Sequence, residues 1–341
     1  MSAAMPLADT AVAGKKEISE ACLEKYLDAM NFERRGSLAE AIAHVVSDVV
    51  AFSKTNRPHA VVSDDISREA LECFKKSMDA SVCDFSNLRN IDRCIKRETF
   101  LIYFEMPSFE KFRAYDFEEI KRFADSFGLR TCIGFSFTDP YCANTSEILR
   151  PDHIIQFPSS YFLSEIGSAG WAVLTKNEIG GNGDIKAGKK EKENNEIKNG
   201  EGIKRFEFNI NRSFSNARRL YSILKKSAKT KDLEVIYTEK SDHADYKIIR
   251  RALRESGCFV RVNGKSKEIS DLCGLLSPFF ADGNIKFYEY LNIEEVADRC
   301  GLRASCAIRL KNAEDGREAI LFKTGPDEME NILKTLNGIL S

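Results

Sequence analysis

The residues of this chain that could do chemistry are spread out rather than grouped. Ten cysteines stand at Cys22, Cys73, Cys83, Cys94, Cys132, Cys142, Cys258, Cys273, Cys300 and Cys306, with no pair spaced CxxC. The four histidines, His44, His59, His153 and His243, adjoin no cysteine group. A structural zinc needs several nitrogen or sulfur ligands within reach of one point, so no metal site is expected. Most cysteines lie in apolar runs, as Cys132 does in TCIGF and Cys258 in GCFVRV, where a thiol packs as a small hydrophobe. Glu105 and Asp116 are read as capping or surface carboxylates, since Asp116 directly precedes FEEIKRF in an N-cap position. Two stretches, KRFEFNINRSFSNARR and KIIRRALR, interleave basic and apolar side chains. That pattern suits RNA or an acidic protein, and it also describes an ordinary solvated helix face, so nucleic acid stays open but is not indicated.

The whole chain narrows the classes further. With 341 residues it can bury a large core, and a formal net charge of -1 produces no global field toward nucleic acid or an anionic membrane. The longest apolar stretch, Ala41 to Phe52, is broken by His44, Ser47 and Asp48, well short of the roughly 20 residues that span a bilayer. The first 20 residues lack a basic start followed by an apolar core and include Asp9, Glu17 and Glu20, which argues against a secretory or mitochondrial leader. A soluble cytoplasmic protein with reduced cysteines is expected.

The elements that must position any site follow from periodicity. From Ala21 to Phe52 apolar residues recur at helical spacing, predicting two helices separated near Arg34, Arg35 and Gly36. Alternating short apolar strands and amphipathic helices follow: HAVVSDD, ISREALECFKKSMDA, SVCDF, NLRNIDRCIKR, FLIYFEM, DFEEIKRFADSFG and RTCIGFSF. A linking helix near residues 144–149 and the strands HIIQF and GWAVLT complete this half. Such alternation predicts a mostly parallel sheet covered on both faces. Residues 178–204 are rich in Gly, Lys, Glu and Asn and read as a charged flexible insertion. Beyond it, a helix over about 213–228 and strands beside helices predict a smaller α+β domain. The expected organisation is a tail at 1–20, a large domain at 21–177, the insertion at 178–204 and a small domain at 205–341.

Several weak motifs occur in order at matching intervals. LIYFEMPSFEKFRAYDFEEI resembles a stretch ending in ExPxNP with a downstream Asp-Ile, matched at Glu105, Pro107, Ser108 and Asp116. CIGFSFTDP follows where VDNTFxTP would stand, and QFPSSYFLSEIGSAGWAVL where HSxTKY, a glycine turn and an apolar strand would stand. CLEKYLDAM is similar to LExxLAxLE, and AILFKTGPDEMENILKTLNGIL to a closing RLSxGxE strand and helix. Together, over roughly residues 22–341, they resemble the cystathionine synthase and lyase family of pyridoxal-phosphate enzymes of transsulfuration. The resemblance implies an α/β chain with the type I pyridoxal-phosphate transferase fold: a large parallel-sheet domain, a smaller C-terminal α+β domain, and assembly as an oligomer.

It also implies which residues should carry the chemistry, and this sequence departs at each. The family's Schiff-base lysine, which no other side chain replaces, falls at Ser160. The carboxylate that holds the pyridine nitrogen protonated falls at Gly134, beside Phe135. The stacking tyrosine falls at Ile66 within DDISRE, the asparagine of ExPxNP at Phe109, and the substrate-binding arginine at Leu321, with Lys323 two residues on. Of the phosphate-binding hydroxyls before the lysine, one position is Phe157 and Ser159 survives. Ile66, Phe109, Ser136, Phe157 and Ser159 are then vestigial positions. Phe109, Phe135, Phe137, Phe157 and Phe162 could fill the abandoned cavity or line a pocket for another ligand. The resulting expectation is a pseudoenzyme with no catalytic residue and no cofactor, acting as a structural or regulatory subunit of a homo- or hetero-oligomer. The alternatives are a residual enzyme of sulfur amino-acid metabolism that still binds pyridoxal phosphate and, second, a binding module for RNA or an acidic protein.

Overall fold

A computed structural model describes residues 30–53, 57–108, 111–135, 151–157, 171–176, 200–228, 233–238, 240, 242–253, 257–281, 285–289, 305–311, 317–326 and 333–334. Its first element corrects the sequence reading. Met30–Arg35 is a strand, β1, paired antiparallel along its length with Trp171–Lys176. Helical spacing is a local signal, and at Met30–Arg35 partners far along the chain override it, while Leu23 and Leu27 lie outside the described residues. Helix α1, Leu38–Phe52, starts behind the N-cap Ser37, whose side chain accepts from Glu40 N–H, while Glu40 reaches back to the Gly36 N–H at 2.9 Å. These reciprocal bonds satisfy two donors that no helical carbonyl could meet. Leu38, Ala41, Ile42, Val45, Val46 and Val49 form its buried stripe.

Six further strands complete the first sheet: β2 (His59–Ser63), β3 (Asp79–Cys83), β4 (Thr99–Glu105), β5 (Arg130–Phe135), β6 (His153–Gln156) and β7 (Trp171–Lys176). Helices α2 (Arg68–Ser77), α3 (Leu88–Cys94) and α4 (Phe117–Ser126) connect them. The spatial order is β1-β7-β6-β5-β4-β2-β3, with β2 to β6 parallel and β7 antiparallel to both of its neighbours. The expected mostly parallel sheet is therefore present. Asp116 caps α4 as expected, accepting from Glu119 N–H. The linking helix read near 144–149 lies outside the described residues.

Helix α5 runs Gly200–Ala228. It therefore begins inside the stretch read as a flexible insertion and well before the helix start expected at Ser213. The second sheet has the order β10-β11-β12-β9-β8, made of β8 (Glu234–Ile236), β9 (Phe259–Lys265), β10 (Lys286–Glu289), β11 (Cys306–Lys311) and β12 (Arg317–Lys323). Helices α6 (Tyr246–Ala252) and α7 (Ser266–Ala281) accompany it.

Alternation along these strands divides the side chains between two cores. Val260, Val262, Ala307, Ile320 and Phe322 pack with Leu220 and Leu224 of α5 and with Ile269, Leu272 and Leu276 of α7. Phe259, Cys306, Ile308 and Leu321, on the other face, join the core of the large sheet. Helix α5 serves both, Ile210 and Phe214 in the large core and Leu220 and Leu224 in the small one. The two halves thus share apolar surface.

Candidate active site

The strand order reverses between β2 and β4: β3 adds on one side of β2, and β4 with its successors on the other. In open α/β sheets such a switch point leaves a crevice beyond the carboxyl ends of the strands. Here that end of the sheet is formed by Asp64 to Ser67 after β2, and by Glu105 to Ser108 and Lys111 to Phe117 after β4.

Glu105 is fully buried at the end of β4. Its Oε1 accepts from the Ser67 backbone N–H at 3.3 Å, the Ser67 hydroxyl at 3.1 Å and the Tyr103 hydroxyl at 3.4 Å. Ser67 is the N-cap of α2, so Glu105 ties the first turn of that helix to the sheet. A surface role for Glu105 is therefore corrected, while a structural one stands. Tyr103 is also fully buried, its ring 4.6 Å from that of Phe74. Burial first, then the adjacent Glu105, pushes its phenol well above the ordinary range.

Gly134 lies on β5 in register with Glu105. A Cβ at Gly134 would meet the Tyr103 hydroxyl at 2.5 Å and Glu105 Cγ at 2.9 Å. Real Cβ atoms do not approach so closely, and the Tyr103 ring is held by packing on Phe74. The direction in which a side chain at 134 would project is thus occupied by the phenol of one strand neighbour and the stem of the other.

A second buried polar group lies at this end of the sheet. The Ser63 hydroxyl donates to Asp65 Oδ1 at 2.7 Å and lies 3.0 Å from the Tyr115 hydroxyl. Asp65 is fully buried, and its Oδ2 has no hydrogen-bond partner. Burial, then Asp65, pushes the Tyr115 phenol far up. Lys111, half exposed, holds Asp64 at 2.9 Å, and that hydrogen bond raises its pKa despite partial burial. A Schiff-base amine must give up its proton; Lys111 is stabilised in the opposite state.

The second half of the chain closes this end. Ser108 and Arg113 bracket a turn, joined by Ser108 N–H to the Arg113 carbonyl and Arg113 N–H to the Ser108 hydroxyl, and Phe112 within it has a φ of 59°. His243 Nε2 faces the Phe112 carbonyl at 3.0 Å, so that nitrogen carries the proton, while Nδ1 accepts from Asp245 N–H at 3.0 Å. Burial lowers the pKa of His243, in keeping with the neutral ring these bonds require. Asp245 Oδ2 accepts from Ala114 N–H at 3.0 Å and faces Arg113 Nε at 3.5 Å. Arg251 pairs with Asp116.

Of the positions singled out in the sequence, Ile66 lies buried in the loop after β2, beside the Ser67 that bonds Glu105. Phe157 is buried after β6, its N–H bonded to the Phe135 carbonyl and its ring 4.5 Å from that of Trp171. Ile66, Phe135 and Phe157 all belong to one continuous core. Leu321 joins the same core from β12, and Lys323 is 1% exposed. Phe109, Ser136, Phe137, Ser159, Ser160 and Phe162 lie outside the described residues. Tyr103, Ser63, Asp65, Tyr115, His243 and Asp245 were missed. The first lies inside FLIYFEM, where the hydroxyl of an otherwise apolar run was the available signal; the contacts of the last two depend on a partner 131 residues away.

Pyridoxal phosphate, which the resemblance implies, needs a carboxylate against its pyridine nitrogen. At position 134, where the resemblance places that carboxylate, there is no room for a side chain. Among the described residues no group of three or more His, Cys, Asp or Glu could hold a metal ion. Likewise, no described helix is long and apolar enough to cross a membrane.

Comparison with known proteins bears on the fold and the lineage. The family model for Cys/Met metabolism PLP-dependent enzymes matches residues 23–280. The chain is similar to a methionine gamma lyase from Micromonospora echinospora, solved in its apo form, with a TM-score of 0.64 and 14% identity over 91% of this chain and 81% of that one. It is similar to a cystathionine gamma-lyase from Lactobacillus plantarum complexed with L-serine, with a TM-score of 0.63 and 16% identity over the same shares. The metB structure from Corynebacterium glutamicum gives a TM-score of 0.64 at 14% identity, over 91% of this chain and 80% of that one. No curated protein matches the sequence. At such identities the structural likeness speaks for the fold, which is that of the type I pyridoxal-phosphate enzymes.

Proposed function

The chain belongs to the family of Cys/Met metabolism PLP-dependent enzymes, and on that premise we propose that it has given up the family's chemistry and acts as a structural or regulatory subunit of an oligomer. The observation that carries this reading is Gly134. Where the family places the carboxylate that keeps the pyridine ring electron-poor, this chain has a glycine whose side-chain direction is filled by Tyr103 and Glu105. Loss of one residue by drift would leave a gap; here neighbouring side chains have closed it, and close packing opposes reopening. Ser160 in place of the Schiff-base lysine, and the buried Ile66 and Phe157 at former cofactor positions, support the same reading. A large fold without chemistry still presents surfaces, and enzymes of this lineage assemble, so the proposed role is assembly with itself or with an active relative.

Adding pyridoxal phosphate to the purified protein and scanning its absorbance tests the loss directly. No saturable Schiff-base band above about 400 nm is expected with near-stoichiometric cofactor, since Ser160 stands where the family has its lysine and the other lysines among the described residues have no built cofactor site. A saturable band that borohydride converts into an adduct on one lysine overturns the reading in favour of a residual enzyme of sulfur amino-acid metabolism. Light scattering after size exclusion, with mass spectrometry of proteins retained in a native purification, tests the subunit role; a lone monomer contradicts it.

A further inference from the structure

We propose that the solvent face of α5 is a binding surface for single-stranded RNA, a property separate from the loss of chemistry. From Phe208 to Ala228 this helix carries Arg212, Arg218, Arg219, Lys225 and Lys226 and no Asp or Glu. With the chain's formal net charge at -1, this is a local concentration of cations in a chain of nearly balanced charge.

Their spacing gives the surface its form. Arg212, Arg219 and Lys226 recur every seven residues, which is nearly two helical turns, so they align along one face at intervals of about 10 Å. Ser215 and Ser222 fall between them on the same face and, with Arg219 and Lys226, are exposed, while Arg212 is half exposed. The row begins at Phe208, the most exposed of the large hydrophobic side chains among the described residues at 62%. Arg212 lies 5.9 Å from the Phe208 ring centroid. Arg218 and Lys225 flank the row, the latter paired with Asp242 at 2.8 Å.

A row of cations and hydroxyls beginning at an exposed aromatic matches what a single strand offers: phosphates for Arg, Lys and Ser, and an unstacked base for the ring. An acidic helical partner is a poorer match, because helix pairing needs an apolar seam every three to four residues. The exposed row holds one such residue, Phe208.

The full-length protein would be titrated into a fluorescently labelled single-stranded RNA of 20 nucleotides while anisotropy is read. Three phosphate contacts predict a slope of about -2 in log affinity against log salt. The double variant Arg219→Glu, Lys226→Glu should weaken binding at least about tenfold at low salt and flatten that slope. Phe208→Ala should weaken binding about tenfold with the slope kept, since a stacking contact carries no counterion. All three side chains are exposed, so circular dichroism should stay at the wild-type trace, and the melting temperature of each variant, together with Lys226→Glu alone, separates lost binding from any lost contact of Arg219. Equal affinity of wild type and the charge-reversed variant overturns the proposal, as does undetectable binding at low salt. Competition by polyglutamate at equal charge concentration also overturns it, in favour of an acidic protein partner.

Discussion

Asp152 and Glu105 are buried carboxylates at opposite ends of the strands of one parallel sheet, Asp152 before β6 and Glu105 at the end of β4, and the donors around them differ. Asp152, just before β6, accepts from the Thr131 N–H at 2.8 Å and hydroxyl at 3.0 Å, and faces Arg130 at 3.1 Å and Lys121 at 3.5 Å. Burial alone would raise its pKa, but the Thr131 amide, Lys121 and Arg130 outweigh it and hold the carboxyl below its usual range. Glu105, at the end of β4, accepts among its contacts the neutral donors of Ser67 and Tyr103. The amino end of the sheet thus holds a charged pin, which repays desolvation through close cations. At the carboxyl end the described residues Ile66, Phe135 and Phe157 are buried beside Glu105, Asp65 and hydrogen-bonded hydroxyls. The former is what any sheet of this kind can use for stability; the latter is where, on the function proposed above, this chain departs from a catalytic member of its family.

The comparison can be broken first at its charged end. Asp152→Asn removes the shared partner of Lys121 and Arg130 and leaves the buried Lys121 to Asp125 alone, so a loss of about 2 kcal/mol in denaturant unfolding is expected. A loss below the error of the measurement contradicts the pin. At the filled end, Gly134→Ala forces a methyl against the Tyr103 hydroxyl and should cost about 2 kcal/mol. In a double-mutant cycle Tyr103→Phe should return part of that cost, since it removes the closest atom. Strict additivity would show that Tyr103 does not fill the site.

Acid gives the smallest and most specific contrast. Asp152 has a folded pKa below its unfolded value, so its stabilisation is complete above about pH 4 and fades as pH falls through the folded pKa. The stability gap between wild type and Asp152→Asn should therefore narrow on acidification below about pH 4. A gap that is constant from pH 7 to pH 3 would mean that the Asp152 charge contributes nothing.

Much of this was legible in the residues. The run from HAVVSDD to RTCIGFSF alternates strand and helix periods strongly enough to define β2 to β5 with their helices, and Asp116 announced its cap. β1 was not legible, because Met30–Arg35 becomes a strand through pairing with Trp171–Lys176, far along the chain. The start of α5 at Gly200 was hidden by a charged, glycine-bearing composition that local rules assign to loops.

The sequence by itself determined that lysine and aspartate are absent from the positions where the family resemblance places them, because identity at a position needs no coordinates. Only the tertiary structure decided what absence at Gly134 means. Whether a missing side chain leaves a cavity or a closed contact depends on neighbours across a sheet, and Tyr103 and Glu105 reach that space from a different strand. The register of β4 against β5, set by backbone hydrogen bonds between distant segments, turns an ordinary glycine into a filled site.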